Sequence, residues 1–473
     1  MTTLGIDLGT GSVKAAIVDA DGRVASRASH PYRARSPRPG WAEADPREWL
    51  AATRSVAESA LSGLAQRPTA VGICGQMHGV VVVDDDLVPL RPAILWADTR
   101  AGEQAREMSD DLGTEVLARL GSPAVPGLAA TTLAWLARHE PEVMGRARYV
   151  LQPKDWLRAM LGGDVATDPS DASGTLMADV ASGTWSATVL DWLGLDPAML
   201  PTIVGSGEPC GTVRLGGRDW PVVAGGADTA CALAGLGLGA GGGFVAVGTG
   251  AQVVRVLPDA TGDPTLRTHT LATAGPPGSG WYRLGAVQSA GLVLATVLEW
   301  LGASVDEASA ALRDGVHADD PVFVPFLAGE RTPFMQAGLR GAWHRQGLST
   351  DRGALLRSVL EGVAQAVALA VDAVQEAGPA LPDLVPLIGG GTHDPAFRQL
   401  LADATGLALV PAEAPDASVA GAGLLAAGRA APPMRSDDAE AFTPRPAVAG
   451  LLRERRAAMV GYATGDLGNP ATP

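Results

Sequence analysis

Leu4-Gly5-Ile6-Asp7-Leu8-Gly9-Thr10-Gly11-Ser12-Val13-Lys14-Ala15-Ala16-Ile17-Val18-Asp19 opens the chain and decides how the rest is read. An apolar, β-prone run stops on a carboxylate, turns on glycine and threonine, and re-enters a second β-prone run. Asp19-Ala20-Asp21-Gly22 then supplies a further turn of the Asp/Gly hairpin type. Strand, small-residue turn and strand suit a loop that lays its backbone N–H groups around a phosphate. Asp7 would stand at its lip as an oxygen ligand for hydrated Mg2+. The same residues also suit a plain hairpin whose Asp7 bonds only the turn.

The pattern recurs near residue 240. Phe244-Val245-Ala246-Val247-Gly248-Thr249-Gly250-Ala251 repeats apolar strand and Gly-Thr-Gly turn, and Asp259-Ala260-Thr261-Gly262 repeats the turn that follows. A chain that restarts its fold halfway implies two similar lobes with a cleft between them. Asp7 has Ala246 as its counterpart, and an acid kept in one copy only favours a site role over a hairpin role.

With 473 residues the chain exceeds one core, so two or three domains are expected. Hydrophobic content of 47% against 18% charged residues describes a packed globular protein. A net charge of −15 argues against nucleic-acid and anionic-membrane surfaces. Cys74, Cys210 and Cys231 lack metal or disulfide spacing and read as buried hydrophobes of a reducing cytoplasm. Asp7 interrupts the place where an export signal would need an apolar run.

Along the chain, strands end in small polar clusters, where open α/β sheets hold ligands. A helix from Asp45-Pro46 to about Leu64 precedes the strand Ala70 to Cys74, which ends in Gly75-Gln76-Met77-His78-Gly79. Lys154-Asp155 opens a helix, and Ala166 to Gly174 reads as a polar loop. Val222-Val223-Ala224 ends in Gly225-Gly226-Ala227-Asp228. In the second half a helix is expected over Ala286 to Trp300, then the cluster Gly329-Glu330-Arg331-Thr332-Pro333. Gly389-Gly390-Gly391 follows a further strand, and a last helix covers about Val448 to Tyr462 before a frayed end.

Familiar nucleotide loops are excluded. Gly9-x-Gly11 leads into a strand rather than a helix, and no Walker A sequence occurs. Asp228 stands in the least charged part of the chain, where a carboxylate must be bonded, paired or used. It can cap the Thr229 to Leu236 helix, or act as a general base toward a hydroxyl attacking a phosphoryl group. His78 is equally open between a structural and a hydroxyl-binding role. Glu330-Arg331 reads first as a surface ion pair.

Together these elements resemble the FGGY carbohydrate kinases: Ile6 to Thr10, Gly75 to Gly79, Gly225 to Asp228, Gly248 to Gly250, Gly329 to Pro333 and Gly389 to Gly391 stand in that family's order. Gln76-Met77-His78-Gly79, Lys154-Asp155 and Asp168 to Thr175 look most like xylulokinases. The resemblance implies an α/β fold of two ribonuclease H-like, actin/hexokinase-type lobes with an inter-lobe active-site cleft. Residues 1–240 would form the N-terminal lobe, 241–430 the nucleotide-binding lobe, and 431–473 a helix and tail. It implies ATP and Mg2+, a small sugar substrate, no nucleic acid or membrane, a cytoplasmic site, and leaves room for a homodimer. Asp228 and Asp7 would be catalytic, with Asp7 also the metal ligand. Met77, His78 and Asp228 would touch the sugar, while Thr10, Gly11, Thr249, Gly250, Gly390 and Gly391 would hold the nucleotide. The implied reaction is phosphorylation of D-xylulose to D-xylulose 5-phosphate. Ribulose, gluconate or a sugar alcohol are alternatives, and an actin-like nucleotide-dependent sensor is a more distant one. Thr229 stands where such xylulokinases usually carry Asn, and Ala97 replaces Asn in their Trp-Asn-Asp-x-Arg element.

Overall fold

The computed structural model describes residues 2–64, 67–412, 414, 416–432 and 440–465. The chain forms two compact units, each discontinuous in sequence. The first comprises Met1–Ala240, Val256–Tyr282 and Asp416–Met434; the second comprises Gly241–Arg255, Arg283–Pro415 and Arg435–Pro473. Each is built on a β-sheet.

The opening stretch folds as the hairpin it spells. Strand β1 (Thr3–Leu8) pairs antiparallel with β2 (Ser12–Val18), which pairs with β3 (Val24–Pro31). On its other side β1 runs parallel to β4 (Val71–Gly75), setting Asp7 beside Cys74. The hairpin of β5 (Pro209–Leu215) and β6 (Arg218–Val223) extends the sheet beyond β4, and the short β7 (Gly226–Ala227) also pairs with β4. Every residue of β1 is buried, as a strand covered on both faces requires. The helix Pro46–Leu61, capped by Asp45, packs Trp49, Val56 and Ala57 into the core on the sheet.

The helix Ala417–Ala426 also packs on β1, β2 and β4, some 400 residues from the hairpin in sequence. It sits so close that a Cβ on Gly5 would stand 2.1 Å from the Val419 carbonyl oxygen. A Cβ on Gly421 would stand 1.8 Å from that of Cys231, on the helix Asp228–Gly235. Glycine is required at both places because no side-chain atom fits against another backbone.

The second unit repeats the plan. Strand β8 (Gly243–Val247) pairs antiparallel with β9 (Ala251–Leu257). In the sheet, β10 (Trp281–Val287) lies between the edge strand His269–Ala272 and β9, and the order continues through β8 to β11 (Leu384–Ile388) and β12 (Ala408–Pro411). As β1 is parallel to β4, β8 is parallel to β11. The helix Arg352–Glu376 is long and apolar enough to cross a membrane, but 83% of its apolar window is buried inside the protein. Its Leu356, Leu360, Val363, Val367 and Val371 lie in the unit's core.

Three expectations change. Ala286 and Val287 finish β10, and the helix begins later, as Gly291–Leu301; the largely buried run Leu284 to Val287 fills a sheet position, which overrides its helical spacing. The polar loop expected over Ala166 to Gly174 contains a fully buried helix, Pro169–Gly174, capped by Asp168. The last helix is Pro446–Thr464, and the expected frayed end lies outside the described residues.

Replacing Gly5 by alanine should lower the stability of the first unit by about 2 kcal/mol or more, because backbone must move to admit the methyl group. The urea midpoint of tryptophan fluorescence measures this; an unchanged midpoint would mean that the Ala417–Ala426 helix is not seated on β1 as described.

Candidate active site

The first unit gathers its chemistry at the ends of β1, β4 and β7. Asp7, one residue before the end of β1, is 7% exposed. Its Oδ2 accepts a 2.7 Å hydrogen bond from Ser418 Oγ, whereas Oδ1 is buried without a hydrogen-bond partner. Burial raises the Asp7 pKa, against the opposing pull of Ser418 and the Lys14 charge. A desolvated carboxylate oxygen left open is the donor a hard cation takes. Among the described residues no cluster of three or more His, Cys, Asp or Glu side chains could hold a metal by itself.

The turn after Asp7 is fixed from outside. Gly9 N–H donates to Ser12 O at 3.0 Å, and Tyr32 Oη donates to Gly9 O. Trp96 Nε1 donates to Thr10 Oγ1 at 2.9 Å, which orients the threonine hydroxyl. Gly11 is exposed beside it.

Asp228 is the first residue of its helix rather than the cap, which is Ala227. Its Oδ1 accepts from Thr229 N–H at 2.6 Å and from Thr229 Oγ1 at 3.2 Å. The capping role open at the sequence level is therefore not the one seen. Burial, followed by the charge of Asp7, pushes the Asp228 pKa up to about 7, with Thr229 opposing. An acid with that pKa exchanges a proton near neutrality, as a general base must.

Met77 and His78 follow β4 in the same region and are nearly buried. His78 takes φ 70°, a left-handed conformation uncommon outside glycine. Its Nδ1 lies 2.6 Å from the Gly174 carbonyl oxygen. A carbonyl can only accept, so Nδ1 carries the proton and Nε2 is the acceptor of the neutral ring. A Cβ on Gly174 would stand 3.2 Å from both His78 Nδ1 and Met77 Cε. Tyr282 Oη reaches Met77 Sδ at 3.8 Å.

In the second unit Thr249 and Gly250 form the β8–β9 turn, and Gly390 and Gly391 form a turn of 3-10 helix after β11. The parallel pairing of β8 with β11 brings the two turns together: a Cβ on Gly391 would stand 3.0 Å from Val247 O. Thr249, Gly390 and Gly391 are exposed. The N-terminus of helix Gly291–Leu301 closes on the same place, with Gly291 N–H to Gly248 O at 3.0 Å and Leu292 N–H to Thr249 O at 2.9 Å. Glu330 is no surface residue. It is buried and accepts from the backbone N–H groups of Gln288 at 2.7 Å, Ser289 at 3.2 Å and Arg331 at 2.8 Å. It thereby holds the segment that feeds the Gly291 helix.

Residues 2–235 match the FGGY family of carbohydrate kinases, N-terminal domain, and residues 243–430 match its C-terminal domain. The chain belongs to this family. It is an FGGY carbohydrate kinase, an ATP-dependent phosphotransferase, and its two sheet-based units match the actin-like plan of sugar kinases. A xylulose kinase of Escherichia coli (strain K12) is 34% identical over 419 residues, 85% of this chain and 84% of that one. The crystal structure of a xyloylose kinase from Brucella ovis superposes with a TM-score of 0.88 at 30% identity, covering 98% of this chain and 99% of that one. A gluconate kinase from Lactobacillus acidophilus shares the fold, with a TM-score of 0.89 at 20% identity, covering 99% of this chain and 98% of that one.

Sequence reading of this FGGY kinase missed Ser418, Tyr32 and Ser170. Each makes a hydrogen bond to a residue distant in sequence, Ser418 to Asp7, Tyr32 to Gly9 and Ser170 to Ala227, which no local periodicity marks.

The raised pKa of Asp228 has a stability consequence. Its folded pKa lies above the unfolded value, so its contribution favours folding at low pH and is lost as pH rises from about 4 to about 7. Asp228→Asn should therefore raise the melting temperature by a few degrees at pH 8 and leave it nearly unchanged at pH 4.5. Calorimetry at the two pH values checks this, and an equal shift at both would contradict the burial of an ionised Asp228.

Proposed function

We propose that this kinase phosphorylates a ketose, with D-xylulose the best-supported substrate and D-xylulose 5-phosphate the product. The observation carrying the chemistry is Asp228, a carboxylate with its pKa pushed up to about 7, at the end of β7, which pairs with the end of β4 just before Met77 and His78. The choice of sugar is supported by the similarity to xylulose kinases over most of the chain and by the Gln76-Met77-His78-Gly79 element.

In this reading the sugar hydroxyl docks against Met77 and the His78 ring, whose tautomer the Gly174 carbonyl fixes. Asp228 takes the hydroxyl proton as the oxygen forms its bond to the γ-phosphorus of ATP and the bond to ADP breaks. The proton then leaves Asp228 to solvent. Thr229 orients the carboxylate by holding Oδ1, leaving the other oxygen for the acceptor. Thr10, Gly11, Thr249, Gly250, Gly390 and Gly391 are assigned to the nucleotide. Asp7 Oδ1 would hold Mg2+, which neutralises charge on the phosphates when bound. The units 1–240, 241–430 and 431–473 are kept as the functional division, and the cytoplasm as the working compartment.

A second reading, another sugar such as ribulose, gluconate or a sugar alcohol, is favoured by Thr229 and Ala97, which depart from the xylulokinase pattern. ADP release across pentuloses, alditols and aldonates separates the two, and turnover confined to a non-pentulose would overturn the first.

Asp228→Asn should lower kcat by about 1,000-fold or more while nucleotide still binds, because the proton acceptor is gone. The kcat/KM profile of the unaltered enzyme should fall on the acid side with an apparent pKa near 7, since only the ionised base works. Normal turnover by Asp228→Asn would remove Asp228 from this role. Asp7→Asn should raise the Mg2+ concentration for half-maximal rate about tenfold or more, and an unchanged Mg2+ requirement would rule Asp7 out as its ligand.

A further inference from the structure

Lys154, Asp155, Arg158, Asp168 and Asp171 are together in the first unit, none more than 1% exposed. Lys154 Nζ lies 2.6 Å from Asp155 Oδ1, 3.0 Å from Asp168 Oδ1 and 3.1 Å from Asp171 Oδ2. Arg158 Nη1 lies 3.0 Å from Asp155 Oδ1. Three carboxylates face two cations. Burial raises Asp171 well above the usual carboxylate range, with the Lys154 charge opposing it. Apolar residues often replace a buried ion cluster without loss of stability, so its use lies in where it places atoms.

It places the segment before Asp228. Arg158 Nη1 donates to Ala224 O at 2.5 Å. Asp168 Oδ2 accepts from Ser206 Oγ at 2.8 Å, and Ser206 O accepts from Gly225 N–H at 2.9 Å. Asp168 Oδ2 also accepts from Ser170 Oγ at 2.5 Å, and Ser170 Oγ in turn accepts from Ala227 N–H at 2.9 Å. The serine hydroxyl has one proton, given to Asp168, so a lone pair faces Ala227. At the other end of the same six-residue helix, Gly174 O receives His78 Nδ1. One short helix, anchored on Lys154 through its Asp168 cap, therefore touches both the peptide before Asp228 and the ring of His78.

We propose that Ser170 is a positioning residue for phosphoryl transfer. Through the Ala227 N–H it sets where the Asp228 carboxylate stands relative to an acceptor hydroxyl at His78, with Asp168 and Lys154 as its anchor. This rests on Asp228 being the base. A 1 Å misplacement of a reacting group can cost about 100-fold in rate. Removing the Ser170 hydroxyl, which breaks its bonds to Ala227 and Asp168, therefore acts on kcat rather than on binding.

The test compares Ser170→Ala and Ser170→Cys with Asp228→Asn in the full-length enzyme, using D-xylulose and the other sugars of the panel with Mg-ATP. Ser170→Ala should lower kcat about 10- to 100-fold with both KM values within about threefold. It should also displace the acid limb of the pH–rate profile. Ser170→Cys, whose sulfur is a weaker acceptor, should fall between alanine and the unaltered enzyme, and it carries the same comparison if the alanine variant folds poorly. Inactive Asp228→Asn beside Ser170→Ala with ordinary kcat and pH profile overturns the positioning role alone. An effect of Ser170→Ala on KM alone also overturns it. Ordinary turnover by Asp228→Asn overturns the base assignment instead.

Discussion

Two desolvated carboxylates in one unit, with the charge of one making the other harder to ionise, are the constraint on which the first unit depends. Asp7 stands one residue before the end of a fully buried strand and Asp228 begins a helix, and the charge of Asp7 adds to burial in raising Asp228. Such an arrangement works against stability, since a desolvated carboxylate favours its protonated form. It persists because both backbones are held by contacts that the carboxylates do not supply. The Ala417–Ala426 helix lies against β1 and against the Asp228 helix at glycine distance, and brings Ser418 to Asp7.

The same division of labour appears on the other side of Asp228. A core of apolar residues would secure the fold, but it would not aim donors and acceptors at the 224–225 and 226–227 peptide groups. The Lys154 cluster does that at the cost of burying charge. Cations between carboxylates fix distances that hydrophobic contact leaves soft, because hydrogen bonds are directional and apolar contact is not. Asp168 shows the balance: burial raises its pKa, and Lys154, Ser170 and Ser206 together bring it below the ordinary value. It remains ionised and keeps accepting from both serines.

Much of this was legible in the chain, and what was not has a physical pattern. The Ile6 to Gly11 turn, its echo at Phe244 to Gly250, and the strand-end clusters at His78, Asp228 and Gly390 are local, so spacing and residue type expose them. The helical spacing over Ala286 to Trp300 does not hold at Ala286 and Val287, because those residues complete a largely buried sheet strand. Ala166 to Gly174 reads as a polar loop because its polar residues satisfy one another and Lys154, which composition does not reveal. Glu330 looked like half of a surface pair, yet its partners are backbone N–H groups, which carry no sequence signature. Ser418 lies 411 residues from Asp7 and has no motif of its own.

The paired hairpins show why one fold carries two kinds of turn. In both, an antiparallel pair lies beside a parallel strand, and a Gly-Thr-Gly turn closes the end. Their registers differ: Leu8 stands opposite Val13, whereas Val247 stands opposite Ala251. Asp7 lies opposite Lys14 and beside Cys74, a setting in which one cation and Ser418 temper a buried acid. Ala246 lies opposite Gln252, with no side-chain charge across the pair to temper an acid placed there. The second turn is instead exposed and flanked by glycines, which suits backbone contact with a phosphate rather than ligation of a cation. The acid is confined to the first copy because only that copy has the surroundings to hold it.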